Sequence, residues 1–279
     1  MKKELYLDNQ KIVYFEEGTG FPFLIIHGWG GAVSPSANLN FQRLLAEQGF
    51  HVFVISMPGF GESSLPELKT KTDEMTECVL KFVEKLEIKE FVIYGHCFGG
   101  LIAIKLAKRC PEKIKSLILC GVPSPKIIKT LTKISFLGLG PFFLIALLTW
   151  LFMPSVFTLK GLRKWIKLQA NFYKRKKAIM LRAWKRVMLQ DFEKNYLGIE
   201  KINIPTFIVR GEKDNIVIKK GFEFFKHIPN SKFKVISKVG HSIQLDSPEI
   251  LTKEVTIFAN TVIKSNNKDL PEQEKIFTI

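Results

Sequence analysis

Cys97 is the side chain in this sequence best placed to act as a nucleophile. It stands at the centre of Gly95-His96-Cys97-Phe98-Gly99-Gly100, directly after the apolar run Phe91-Val92-Ile93-Tyr94. Glycines two positions before and two after one reactive residue predict a tight strand-to-helix turn. Any side chain at Gly95 or Gly99 would collide with the neighbouring strand or the incoming helix. The N-terminus of that helix and a nearby imidazolium would both favour thiolate over thiol. Candidates for the partners lie downstream. Arg210-Gly211-Glu212-Lys213-Asp214 follows an apolar run ending at Val209, and Val239-Gly240-His241-Ser242 follows the next strand candidate. Asp214 and His241 then both fall at the C-terminal edge of a sheet, where open α/β sheets gather their reactive groups. A thiol, an imidazole to hold its proton and a carboxylate to orient the imidazole can together perform nucleophilic acyl chemistry. Glu212 shares the loop with Asp214 and competes for the acid role, but the spacing favours Asp214.

The elements that must position these groups are legible as an alternation. Residues 4–17 read as a hairpin around Asp8-Asn9. Phe23-Leu24-Ile25-Ile26, Val52-Phe53-Val54-Ile55, Phe91-Val92-Ile93-Tyr94 and Ser116-Leu117-Ile118-Leu119 are short apolar runs. Such runs suit parallel strands buried on both faces. Helical patterns at 36–48, 72–87 and 99–109 separate them. Two further strands are expected at 205–209 and 233–236, and a last helix after Ser247-Pro248-Glu249. The alternation implies a mostly parallel sheet with helices on both faces.

Taken together, these motifs resemble the α/β-hydrolase superfamily, in its single-domain branch with an inserted helical cap. Met57-Pro58-Gly59-Phe60-Gly61-Glu62-Ser63 is similar to that family's turn after the fourth strand, and His27-Gly28-Trp29-Gly30-Gly31 stands where its oxyanion loop belongs. The chain departs from the pattern at Ser56, where Asp is frequent, and at Cys97, where most members have Ser. The resemblance implies a Cys97–His241–Asp214 triad, with the backbone N–H groups of Phe98 and Trp29 as the oxyanion hole. Such a donor typically contributes ~3 kcal/mol. It implies hydrolysis of an acyl ester or thioester through a thioester acyl-enzyme. Acyl transfer on the same triad and a non-catalytic membrane- or ligand-binding pseudohydrolase are the alternative readings. Residues 1–121 and 202–263 would form the core, 122–201 the cap and 264–279 a polar tail. The family's alternative acid position after the sixth strand is excluded, because nothing acidic follows Cys120-Gly121-Val122 until Asp191. His27 is expected to brace the oxyanion loop and His96 to be a packing neighbour in the turn.

Charge marks out the insertion. The net charge is +16, yet residues 113–190 contain 16 Lys and Arg and no Asp or Glu. The remaining 26 basic residues balance the 26 acidic ones, so the whole excess lies in one segment. Within it, residues 142–153 are apolar except for Thr149. As a helix they would span ~18 Å, short of the ~30 Å hydrocarbon core of a bilayer. They are expected to line a pocket for a lipophilic acyl group, or to meet an anionic membrane surface alongside the basic residues. The N-terminus is charged and has no apolar signal region. The four cysteines show no C-x-x-C or metal-ligand spacing. A cytoplasmic protein, peripheral to the membrane at most, is expected, without metal or organic cofactor. The glycine loop after His27 lacks the Lys of a phosphate loop, and nucleic acid is not an expected partner.

Overall fold

The structure, a computed structural model, describes residues 1–28, 38–64, 72–125, 192–215, 217 and 219–268. The expected hairpin is β1 (Lys2–Leu7) and β2 (Gln10–Glu17), paired antiparallel with Leu7 opposite Gln10. Asp8 and Asn9 turn the corner with φ of 45° and 61°. Two left-handed residues give a turn whose twist matches that of the strands it joins.

The apolar runs become β3 (Phe21–Ile26), β4 (Phe50–Ile55), β5 (Phe91–His96) and β6 (Ile114–Cys120). They are joined by β7 (Thr206–Gly211) and β8 (Ser231–Ile236). The described strands form one sheet in the order β1-β2-β4-β3-β5-β6-β7-β8. It is parallel from β4 to β8, and β2 joins β4 antiparallel. The α-helices among the described residues are α1 (Leu39–Glu47), α2 (Thr72–Lys85), α3 (Phe98–Arg109), α4 (Phe192–Asn195), α5 (Lys219–Glu223), α6 (Ile243–Asp246) and α7 (Pro248–Lys268).

Burial on both faces explains the unbroken apolar runs. Leu24, Ile26, Ile93 and Leu117 face one side of the sheet, with Val79 and Val83 of α2 and Leu101 of α3. Phe23, Ile25, Val92, Tyr94 and Ile118 face the other, with Phe41 and Leu45 of α1 and Leu251 and Val255 of α7. Each such side chain contributes roughly 1.5–3 kcal/mol by leaving water. The chain leaves β3 for β4 on one side and then crosses to β5 on the other. The direction of winding therefore reverses beside β3, and the C-terminal ends of β3 and β5 border the resulting crevice.

Two boundaries differ from expectation. The last helix continues to Lys268, past residue 264 where a polar tail was expected. Its buried stripe of Val255, Phe258, Ala259 and Val262 keeps helical spacing to that end, and the Ser265 hydroxyl donates to the Val262 carbonyl at 2.8 Å. β6 begins at Ile114, two residues before its apolar run, because Ile114 pairs with Phe91 across a register shift. The expected cap, 122–201, falls mostly on 126–191, which lie outside the described residues; so do residues 142–153. Among the described residues no helix is long and apolar enough to cross a membrane.

Candidate active site

Cys97 sits between β5 and α3 with φ 50° and ψ −113°. This is a strained conformation for a residue with a side chain. It persists because its surroundings fix it. The Cys97 N–H donates to the Cys120 carbonyl at the end of β6 at 2.9 Å, and the Cys97 carbonyl accepts from Gly100 N–H at 3.1 Å. The flanking glycines are needed for close approach. A Cβ on Gly95 would lie 2.6 Å from Gly100 Cα in the incoming helix. One on Gly99 would lie 2.2 Å from the Ile26 carbonyl oxygen at the end of β3. The N-terminus of α3 therefore rests directly on the sheet, with Cys97 as its N-cap residue.

Asp214 and His241 are brought to the same place. The acid loop leaves β7 through Gly211, with Asp214 N–H donating to the Gly211 carbonyl at 3.2 Å. Asp214 is buried; its Oδ1 accepts from Val217 N–H at 2.9 Å, and its Oδ2 lies 2.9 Å from His241 Nδ1. Cys97 is the other group whose charge acts on the His241 ring. Burial by itself pulls the His241 pKa down, but the sulfur of Cys97 and the carboxylate of Asp214 more than reverse this and raise it to about 10. Such a chain of thiol, imidazole and carboxylate can keep a proton on the ring while the sulfur carries negative charge. Glu212 is used elsewhere: its Oε2 accepts the N–H of Lys238 at 2.8 Å, a residue with φ 64°.

All four cysteines are free thiols, and only Cys97 is not buried. Burial raises the pKa of Cys78 and Cys120 to about 12 and that of Cys110 to about 11, which keeps them protonated. Phe98 opens α3 immediately after Cys97. Trp29, the other expected oxyanion donor, lies outside the described residues. His27 has the expected local role. Met57 N–H donates to its Nε2 at 3.2 Å, so the ring proton is on Nδ1 and is given to the Gly28 carbonyl at 2.8 Å. His51 pairs with Glu16 at 2.9 Å, and His227 rests against Phe224. An open groove of about 690 Å³, lined by Ala107, Ile114, Gly198 and Pro205 among others, lies at the opposite edge of the sheet from Cys97.

Two residues of consequence carried little signal in the sequence. Arg210, at the end of β7, donates through its guanidinium to the carbonyls of Gly211, Val217 and Glu212 at 3.1, 2.8 and 3.0 Å. It thereby ties together the turn that presents Asp214. An Arg closing an apolar run, with Gly next, was the available hint. The second is His96, whose ring is fully buried against His241.

The comparisons agree with this fold. Residues 22–138 match the model of the alpha/beta hydrolase fold family. The chain is 26% identical over 275 residues to a 2-hydroxymuconate semialdehyde hydrolase of Pseudomonas putida, covering 92% of this chain and 93% of that one. It is 28% identical over 247 residues to Lipase 3 of Moraxella sp. (strain TA144), covering 84% and 76%. A thermophilic esterase from Thermogutta terrifontis superposes with a TM-score of 0.73 at 20% identity, covering 94% of this chain and 99% of that one. With the sheet order, the turn after β5 and these likenesses in view, the chain has the α/β-hydrolase fold.

Proposed function

We propose that this protein hydrolyses carboxylic esters or thioesters, with Cys97 as nucleophile, His241 as general acid and base, and Asp214 as the group that orients His241. The observation that carries this reading is the meeting of three groups at one sheet edge: Cys97 in its strained turn, His241 packed against the neighbouring His96, and Asp214 Oδ2 at 2.9 Å from His241 Nδ1. Its relatives include a semialdehyde hydrolase and a lipase. In the first half-reaction the Cys97 sulfur bonds to the acyl carbon. The carbonyl electrons move onto oxygen, which the N–H groups of Phe98 and Trp29 receive. As the tetrahedral species collapses, the leaving alcohol or thiol departs with the proton held by His241, and a thioester acyl-enzyme remains. Formation of that thioester removes the sulfur's charge, which is one of the causes holding the His241 proton. The proton is therefore released when the leaving group needs it. Water then attacks the thioester, His241 takes its proton, and the carboxylic acid leaves as the sulfur regains its charge.

The apolar composition of residues 142–153 favours a lipophilic acyl group, and the acid-free segment 113–190 favours an anionic partner such as a membrane surface. The test is intact-protein mass spectrometry after mixing with activated esters of short and long acyl chains, beside steady-state hydrolysis. A mass increase equal to the acyl group, mapped to Cys97 and absent from Cys97→Ala along with turnover, is the expected result. Full turnover by Cys97→Ala would reject Cys97 as nucleophile.

A further inference from the structure

His96 precedes Cys97, and the proposed chemistry gives it no task. Its side chain is fully buried. Its Nε2 lies 3.0 Å from the main-chain carbonyl oxygen of His241, and the two rings have centroids 4.8 Å apart. On the other side the ring occupies the space a side chain on Gly28 would need. A Cβ there would meet His96 Nδ1 at 2.7 Å and Cys97 Cβ at 3.2 Å. One imidazole thus touches the loop that carries His241 and the end of β3 that leads to Trp29, while its own backbone carries Cys97.

The surroundings fix its protonation. The titratable groups acting on the ring are His241, Asp214 and His27, with Cys97 next in sequence. Burial first, and then the charge of His241, hold its pKa down to about 3. A neutral imidazole carries one proton, and the His241 carbonyl can only accept, so that proton is on Nε2. Nδ1 is left with a bare lone pair and no hydrogen-bond partner among the described residues. A Lys or Arg at this position would offer the same donor, but with a fixed positive charge beside the His241 imidazolium.

We infer that His96 is a positioning residue: its Nε2–H holds the main chain of His241 against the turn and so sets the His241 ring at the Cys97 sulfur. This rests on the reading of Cys97 and His241 as the reacting pair. Asp214 orients the His241 ring at Nδ1, but that bond leaves open how far the 239–242 loop stands from Cys97. The bond from His96 closes that distance, linking residues 145 positions apart in the chain.

The test follows alkylation of Cys97 by iodoacetamide between about pH 5 and pH 9, a reaction that needs no substrate and reports the thiolate. His96→Gln keeps an N–H donor of similar reach, whereas His96→Leu fills the space without one. His96→Leu is expected to lose about tenfold in rate at the acid end and little at the alkaline end, where solvent ionises any thiol. His96→Gln should stay within about threefold of wild type throughout. Looser packing would instead expose the thiol and raise the rate at every pH. A wild-type profile in folded His96→Leu, or an equal fall in both variants, overturns the inference. Should His96→Leu fail to fold, ¹⁵N NMR of the wild-type ring decides: a proton on Nδ1, or titration of the ring between pH 5 and 9, overturns it. His241→Ala separates the two levels. If it leaves the alkylation profile unchanged, the pairing of Cys97 with His241 is wrong and the inference falls with it. If it collapses the profile while His96→Leu does not, only the positioning role is rejected.

Discussion

Replacing Gly99 by alanine tests the geometry of the turn in isolation. Gly99 lies in the first turn of α3 and does not have positive φ. On conformational grounds alone, alanine would be favoured there by up to about 1 kcal/mol. The neighbours reverse that sign. The added Cβ would sit 2.2 Å from the Ile26 carbonyl oxygen and 2.7 Å from that of His27, where carbon and oxygen ordinarily stay beyond ~3.3 Å. Both obstacles are main-chain atoms at the end of β3, which is paired on both sides by β4 and β5. Neither can swing aside as a flexible side chain would, so α3 must shift outward by about 1 Å and carry Cys97 with it. Overpacking typically costs ~1–3 kcal/mol, and with backbone on both sides the upper end applies. A loss of ~3 kcal/mol lowers the urea midpoint by about 1 M or more. Gly49→Ala is the control, because its Cβ would meet nothing within 4 Å while its φ is +87°. That variant bears only the conformational cost, about 1 kcal/mol. Urea unfolding of both variants, with Cys97 alkylation alongside, checks the argument. If Gly99→Ala were as stable as wild type, or lost less than Gly49→Ala, the close approach of α3 to β3 would be wrong.

His241→Ala should slow ester turnover by several orders of magnitude, as loss of a triad base usually does. Asp214→Asn should be milder, and Glu212→Gln close to wild type because its carboxylate serves the Lys238 N–H; steady-state kinetics that rank Glu212→Gln below Asp214→Asn would reverse the assignment. Cys97→Ser should keep the melting temperature and lose activity, since the oxygen is less acidic and its bond to the acyl carbon shorter; undiminished kcat/KM would argue against a site built around sulfur. Acid should destabilise the fold through His96, whose pKa falls from 6.5 when unfolded to about 3 when buried. The unfolded chain binds the extra proton, so this stability is present above pH 6.5 and is lost as pH falls towards 3, up to about 5 kcal/mol in all. Urea titrations at a series of pH values should be flatter over this range in His96→Gln. Vesicles of anionic lipid should sediment the protein and neutral ones should bind little of it, with binding weakened as salt shortens the Debye length from ~10 Å at 0.1 M towards ~3 Å at 1 M; reversal of Lys174, Arg175, Lys176 and Lys177 to Glu should remove most of it.

How far the sequence could be read depended on whether a residue's role was set by its neighbours in the chain or across the fold. β3, β5 and β6 were legible because burial on both faces demands unbroken apolar runs. β8 was read only from Phe233, because it forms the sheet's edge and alternates Lys232 and Lys234 with partly covered residues. The turn at Cys97 was legible because Gly95 answers contacts with α3 only a few residues on, even though Gly99 answers the distant end of β3. The choice of Asp214 over Glu212 was less so. Both lie in one loop, and what separates them is the fold of that loop under Arg210, which turns one carboxylate to His241 and the other to Lys238. His96 was the hardest to read. Its partner lies 145 residues away, and nothing local distinguishes a histidine packed in a turn from one holding another residue's main chain.

The proposed use of sulfur also bears on how the supporting groups share their work. A serine must lose its proton during attack, so its base and the carboxylate behind that base act together in one transition state. In the proposed site His241 already holds a proton before attack, its pKa raised by Cys97 and Asp214. Attack then removes the charge that held it, and what remains is the placement of the ring where the leaving group departs. Placement is what Asp214 supplies from one side and, on our inference, His96 from the other. The two should therefore be additive in their effects on acylation, because each fixes a different coordinate of the same ring: rotation for Asp214, distance for His96. A double variant Asp214→Asn, His96→Leu that lost no more than its worse single parent would show instead that both bonds fix one coordinate.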